Sequence, residues 1–269
     1  MNEIQKSGRC PLFWTRLSRL SSFGKRDEKE YNKLNMKKII IGNWKMNPMS
    51  FVDAKKVFTK IAVKITPNKK VTTVVCPPAV YLAPLSQVKK NVALGAQDVF
   101  YEQEGAFTGS ISASMVKNFA VGYVIIGHSE RRKAGDTDEI INRKLLAALR
   151  EGLKVILCVG EAAHDEAGAY LKDLQRQLEQ GLAGAKKYVN QIIVAHEPVW
   201  AIGAAAKGAD TPESFQHNRL FIKKILVGIF GKKNGLTIPI LYGGSANAKN
   251  AGDFLGTGDA DGLLVGRAS

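Results

Sequence analysis

The sequence predicts an α/β fold, a closed (β/α)8 barrel, on three observations. Eight short apolar runs alternate with longer segments whose apolar residues recur at helical spacing. The runs are almost continuously apolar, as parallel strands covered on both faces by helices must be. The turn after the first run reads "GNWKMN" (42–47), without the GxGxxG expected of a doubly wound open sheet.

In chain order the candidate strands are "KIIIG" (38–42), "VTTVVC" (71–76), "VALGA" (92–96), "YVIIG" (123–127), "KVILCVG" (154–160), "IIVA" (192–195), "IPILYG" (238–243) and "GLLVG" (262–266). The runs are β-branched or otherwise apolar, and glycine or proline punctuates many of their ends. Among the intervening segments, 50–65, 136–152 and 170–188 carry a helical apolar period. "SERR" (129–132) starts a further helix directly after the fourth run. Eight βα units in about 230 residues match the size of one closed barrel.

The 269 residues, 45% of them hydrophobic, suffice for a large core. No apolar run reaches the roughly 18–20 residues of a membrane helix, so no membrane partner is expected. Cys10, Cys76 and Cys158 form no CxxC pair, and two lie inside apolar runs, which reads as buried thiols in a reducing compartment such as the cytoplasm. The formal charge of +15 is scattered over helical segments and accompanies no nucleic-acid signature. It is read as a solvated surface that attracts anionic metabolites, with no nucleic-acid partner.

Residues 1–35 differ in texture from the rest, so the chain divides into an N-terminal extension (1–35) and a catalytic barrel (36–269). Glu3, Asp27, Glu28 and Glu30 argue against a transit peptide. A leader ahead of a start at Met36 is the preferred reading. Leu12, Phe13, Leu17 and Leu20 also have helix-like spacing, and a helix there would run in the direction of an eighth barrel helix, which the sequence past the eighth strand does not supply.

In such a barrel the residues just past the strand ends converge. Asn43 and Lys45 follow the first strand, His128 and Glu130 the fourth, and Glu197 the sixth; "YGGS" (242–245) and "VGRAS" (265–269) follow the last two. Singly, Lys45 reads as a surface lysine, Glu197 as a helix-start acid and His128 as a satisfied strand-end histidine. Together a carboxylate, an imidazole, a lysine and an amide supply one base and several groups for an oxyanion, which is what proton abstraction beside a carbonyl needs. The two glycine-bearing turns, whose N–H groups can approach an anion closely, imply a phosphorylated substrate. No metal-ligand cluster accompanies them: His164 and His217 read as surface residues and His196 as a packing neighbour.

"GNWKMN" (42–47), "GAFTGSIS" (105–112), "IIGHSERR" (125–132), "VILCVGE" (155–161), "EPVWAIG" (197–203), "YGGS" (242–245) and "DGLLVG" (261–266) resemble the triosephosphate isomerase family in order and spacing, over Met36 to Ser269. The resemblance implies a TIM barrel that interconverts dihydroxyacetone phosphate and D-glyceraldehyde 3-phosphate in glycolysis and gluconeogenesis, with neither cofactor nor metal. It makes Glu197 the base and His128 a neutral N–H donor to the carbonyl oxygen. Lys45 and Asn43 then stabilise the enediolate, and Glu130 acts beside Lys45. The helix starting at Ser129 places the positive end of its dipole at His128, which favours an uncharged ring. The resemblance further implies that Gly203, Ser245, Gly266 and Arg267 grip the phosphate, that Trp200 and Glu161 steady a lid over 198–203, and that the Gly105–Gly109 loop reaches into a second copy in a homodimer.

Three departures stand out. "GAAAKGADTP" (203–212) has alanines where the family's lid reads Gly-Thr-Gly-Lys, and is about two residues longer, a change that alters closure. Arg267 replaces a glycine, and the chain stops after the eighth strand. Two rivals are a phosphosugar aldolase, for which no run supplies a Schiff-base lysine, and a catalytically impaired barrel serving as a basic binding or scaffold protein.

Overall fold

The computed structural model describes residues 37–65, 70–88, 91–165, 168–201, 210–266 and 269. The expectations placed on residues 1–36, including the start at Met36 and a helix over Leu12–Leu20, and those placed on 202–209 lie outside the described residues.

Eight parallel strands close in chain order: β1 (Lys38–Asn43), β2 (Val71–Cys76), β3 (Ala93–Ala96), β4 (Tyr123–Ile126), β5 (Lys154–Val159), β6 (Ile192–His196), β7 (Ile240–Tyr242) and β8 (Gly262–Val265). The ring shuts where β8 pairs with β1, from Ile39↔Gly262 to Gly42↔Val265. Each expected run is a strand to within two residues at either end. The seventh starts later than the run "IPILYG", at Ile240, because Pro239 has no N–H to donate; only its carbonyl joins the ladder, accepting from Val194 at 2.9 Å.

Strand residues alternate between two apolar compartments. Ile41, Val74, Ile125, Ile156, Ile193 and Leu264, with Cys76 and Cys158, fill the barrel interior. Val124, Ile126, Val155, Leu157, Ile192 and Val194 face outward under the helices. Hence the strands read as nearly continuous apolar runs: both faces are buried, and the period-2 signal is hidden.

The helices between strands are α1 (Phe51–Lys64), α2 (Leu82–Ser86), α3 (Ala113–Lys117), α4 (Ser129–Lys133), α5 (Asp138–Arg150), α6 (Tyr170–Gly181), α7 (Pro212–Phe230), α8 (Lys232–Thr237) and α9 (Ala251–Leu255). Ser50, Thr137 and Thr211 cap α1, α5 and α7 by accepting from N–H groups three residues on, and Pro212 opens α7 where a missing N–H costs nothing. On α6, Tyr170, Leu174, Gln177, Leu178 and Gly181 form the buried stripe that its apolar period encodes. That helix stops at Gly181, short of the expected 188, because Gly184 turns the chain in the left-handed region (φ 74°). No helix among the described residues is long and apolar enough to cross a membrane.

Candidate active site

β1, β4 and β6 are not neighbours in the ring, but all three open at the same mouth of the barrel, and the residues that follow them meet across it. Gly127 makes the exit from β4 possible: its φ is +75°, and a Cβ would stand 3.2 Å from the Cys158 carbonyl oxygen. The chain then turns through His128 into α4. Glu197 follows directly on β6, its backbone seated so tightly on Gly160 that a Cβ at that glycine would fall 1.7 Å from the Glu197 carbonyl oxygen.

Glu197 is 2% exposed. Its Oε2 accepts the Ser129 N–H at 2.9 Å, and Oε1 lies 3.3 Å from His128 Nε2. The other ring nitrogen, Nδ1, accepts the Glu130 N–H at 3.2 Å. With the Nδ1 lone pair occupied, the ring proton belongs on Nε2, and the imidazole presents an N–H into the mouth. Below Glu197 lies Cys158; burial first, and then the Glu197 charge, push its thiol far up, so it stays protonated.

Lys45 Nζ donates to Glu130 Oε1 at 2.6 Å. Partial burial pulls the Glu130 carboxyl upward, but the hydrogen bond and charge of Lys45 outweigh it, and the net direction is down. Lys45 has the left-handed φ of 53°, costly for a residue with a side chain. Two amide side chains hold it there: Asn43 Oδ1 accepts the Lys45 N–H at 3.0 Å, and Gln97 Nε2 donates to the Lys45 carbonyl and to that of Cys76, each at 2.8 Å.

The turn after β7 abuts the carboxylate: a Cβ on Gly243 would sit 2.9 Å from Glu197 Cγ. Ser245 in that turn donates from Oγ to the Ala201 carbonyl at 2.9 Å. Gly266 borders Lys45, with a would-be Cβ 3.3 Å from Lys45 Cε. Glu161, at the end of β5, accepts Trp200 Nε1–H at 2.9 Å and pairs with His196 Nε2 at 3.0 Å. Its burial favours the acid form, yet the facing His164 and the bonds from His196 and Trp200 hold the carboxyl down to about 2.

Asn43, Lys45, His128, Glu130 and Glu197 thus form one connected group, and Gly266 borders it. Glu161, Trp200 and Ser245 cluster around the Val199–Ala201 turn that follows Glu197. Gly203 and Arg267 lie outside the described residues. Sequence reasoning missed Gln97 and the Ser129 N–H. Gln97 immediately follows the end of β3, so the strand-end rule that selected Asn43 could have found it; the role of a backbone N–H leaves no trace in residue type.

A closed parallel barrel with a buried carboxylate, an imidazole N–H and a lysine at the C-terminal ends of its strands is a (β/α)8 barrel enzyme with an acid–base site. The model of the triosephosphate isomerase family matches residues 38–269. Triosephosphate isomerases of Dehalococcoides mccartyi and Geobacter metallireducens are 41% and 42% identical over 235 and 239 residues, covering 86% of this chain and 91% and 93% of theirs. The triosephosphate isomerase of Aquifex aeolicus is 39% identical over 238 residues, 87% of this chain and 95% of its own. The chain belongs to the triosephosphate isomerase family.

Proposed function

We propose that Glu197 and His128 perform the family's proton transfer in this chain. The chain is an aldose–ketose isomerase that interconverts dihydroxyacetone phosphate and D-glyceraldehyde 3-phosphate, a step of glycolysis and gluconeogenesis. Glu197 takes a proton from the carbon beside the carbonyl and returns it to the neighbouring carbon, so the reaction needs no net oxidant, reductant or water. His128 donates from Nε2 to the oxygen that gains charge as the enediolate forms and passes the hydroxyl proton from one oxygen to the other, so that the former carbonyl becomes the hydroxyl, and Lys45 and Asn43 stabilise the same charge. Glu130 holds Lys45. Ser245, Gly266, Gly203 and Arg267 take the phosphate, while Trp200 and Glu161 support a lid that keeps water from the intermediate.

The observation that supports these roles best is the 3.3 Å approach of His128 Nε2 to Glu197 Oε1. A base and an N–H donor at that spacing can straddle adjacent carbon and oxygen atoms of a small substrate. The test is an assay of glyceraldehyde 3-phosphate isomerisation. Glu197→Asp withdraws the carboxylate by one methylene and is expected to lower kcat by about 10²-fold or more. A wild-type chain that turns over nothing would leave the scaffold reading in its place.

We also read the Gly105–Gly109 loop as the contact of a homodimer. Residues 103–109 are exposed, and Phe107, though packed on Phe100 at 4.8 Å, remains 42% exposed. Phe107→Glu should halve the sedimenting mass if the loop enters a second copy; a wild type already monomeric at micromolar concentration would end this reading. The buried free thiols of Cys76 and Cys158 support a cytoplasmic location.

A further inference from the structure

His196, the last residue of β6, immediately precedes Glu197. Strand alternation turns it outward, opposite to Ala195, which faces the barrel interior. It is fully buried against α7, where its ring stacks on Phe215 at 6.0 Å between centroids and 27° between planes. Its Nε2 meets Glu161 Oε2 at 3.0 Å, while Nδ1 has no hydrogen-bond partner among the described residues. The ring proton therefore sits on Nε2 and is given to the carboxylate.

The other oxygen of that carboxylate, Oε1, accepts from Trp200 Nε1 at 2.9 Å. A single buried side chain thus grips the backbone segment on both sides of Glu197, one residue before it and three residues after. Main-chain bonds reinforce the grip: Val199 N–H donates to the Glu161 carbonyl at 3.0 Å, and Glu197 N–H to that of Val159 at 2.8 Å.

We infer that His196 is a positioning residue for the reaction: through Glu161 it forms, with Trp200, a two-armed clamp that fixes the 196–200 segment and so aims the Glu197 carboxylate at the substrate carbon. His196 itself touches no reacting group. The clamp explains why an imidazole donor, and no purely apolar residue, packs on Phe215 at this position. It acts on the orientation of the base, so it governs kcat and leaves the hold on the phosphate, to which the turns after β7 and β8 contribute Ser245, Gly266 and Arg267, largely alone.

This inference rests on Glu197 being the base, and the experiment separates the two. Steady-state isomerisation is measured for wild type, His196→Phe, His196→Gln, Trp200→Phe and the His196→Phe/Trp200→Phe double variant. The expectation is a kcat about tenfold lower in each of the two Phe variants, with KM within about twofold. Because both arms end on one carboxylate, the double variant should lose much less than the product of the single losses. His196→Gln, which can still present an N–H, should recover most of the His196→Phe loss. An unchanged kcat in His196→Phe, multiplicative losses in the double variant, or a Gln variant no better than Phe would overturn the clamp. If His196→Phe does not fold, His196→Gln and Trp200→Phe decide. A Gln variant near wild type beside an impaired Trp200→Phe sustains the clamp; a Gln variant as poor as Trp200→Phe with KM raised in step removes it. A wild type without turnover would bring down the isomerase reading first.

Discussion

His128 Nε2 stands 3.3 Å from Glu197 Oε1 while its Nδ1 accepts the Glu130 N–H, so one ring is aimed by the first turn of α4 and offered to the mouth of the barrel by its far nitrogen. In the role proposed for His128, the donor is placed before any substrate arrives, and little reorganisation is needed as charge develops on the substrate oxygen. His128→Gln cannot both accept from Glu130 and donate at the position of Nε2. We expect kcat to fall by about 10²–10³-fold with KM changed far less. Steady-state kinetics in both directions check this, and a kcat within tenfold of wild type would contradict the assignment.

Lys45 and Glu130 form the second relationship that activity should report. Lys45→Met keeps the bulk of the side chain and removes the cation, so the loss should appear in kcat/KM at about 10²-fold or more. The same substitution has a second readout. Lys45 holds the Glu130 carboxyl below its ordinary value against the upward pull of partial burial. Without Lys45 only weaker interactions oppose that pull, so the Glu130 carboxyl should titrate at higher pH in the variant. A carbon-13 NMR titration of the carboxyl follows the change.

The barrel was legible because its strands are buried on both faces, which writes each one as an apolar run with turn residues at its ends. Once the ring was assumed, the strand-end rule selected Asn43, Lys45, His128, Glu130 and Glu197 without knowledge of any contact. Other features could not be read in this way. The left-handed φ of Lys45 is held by Asn43 two residues before it and by Gln97, and the contact from Gln97, 52 positions away, cannot be read from local sequence. His196 looked like a packing neighbour, and it does pack on Phe215, but its bond to Glu161 joins the ends of β5 and β6 and depends on their register. Similarly, the helical period of 170–188 persists beyond Gly181, and only the conformation of Gly184 ends the helix early.

A closed ring of charges ties the loop after β3 to the elements that follow His128. Lys144, 2% exposed on α5, donates to Asp98 and Asp136 at 2.7 Å each, and Arg131 approaches the same two carboxylates at 3.1 and 3.3 Å. Burial already draws the Asp98 carboxyl upward despite both cations. Lys144→Met would leave two acids sharing one arginine, and breaking a buried pair from one side typically costs about 3–5 kcal/mol. Urea unfolding should show that loss, and adding Asp98→Asn should restore part of it, because the surplus charge is then removed. A Lys144→Met variant within about 0.5 kcal/mol of wild type would mean that water reaches the ring.

Lys223 gives the clearest dependence of stability on pH. It is buried on α7 and donates to the carbonyls of Leu236 and Ile238 at the C-terminal end of α8. Burial lowers its ammonium to about 7; Asp261 and Asp259 pull the other way, and Arg219 adds to the lowering. The ordinary value of 10.5 applies once the chain unfolds. Between about pH 7 and 10.5 the unfolded chain therefore binds a proton at this position that the folded chain does not, so stability rises with pH across that window. Below pH 7 both states hold the proton and the penalty is constant. Lys223→Met has no such proton to lose, so its unfolding free energy, followed by urea titration from pH 7 to 10, should lack the upward contribution seen in the wild type. A difference between the two proteins that stays constant with pH would show that the folded chain keeps Lys223 charged throughout, its two carbonyl partners compensating for burial.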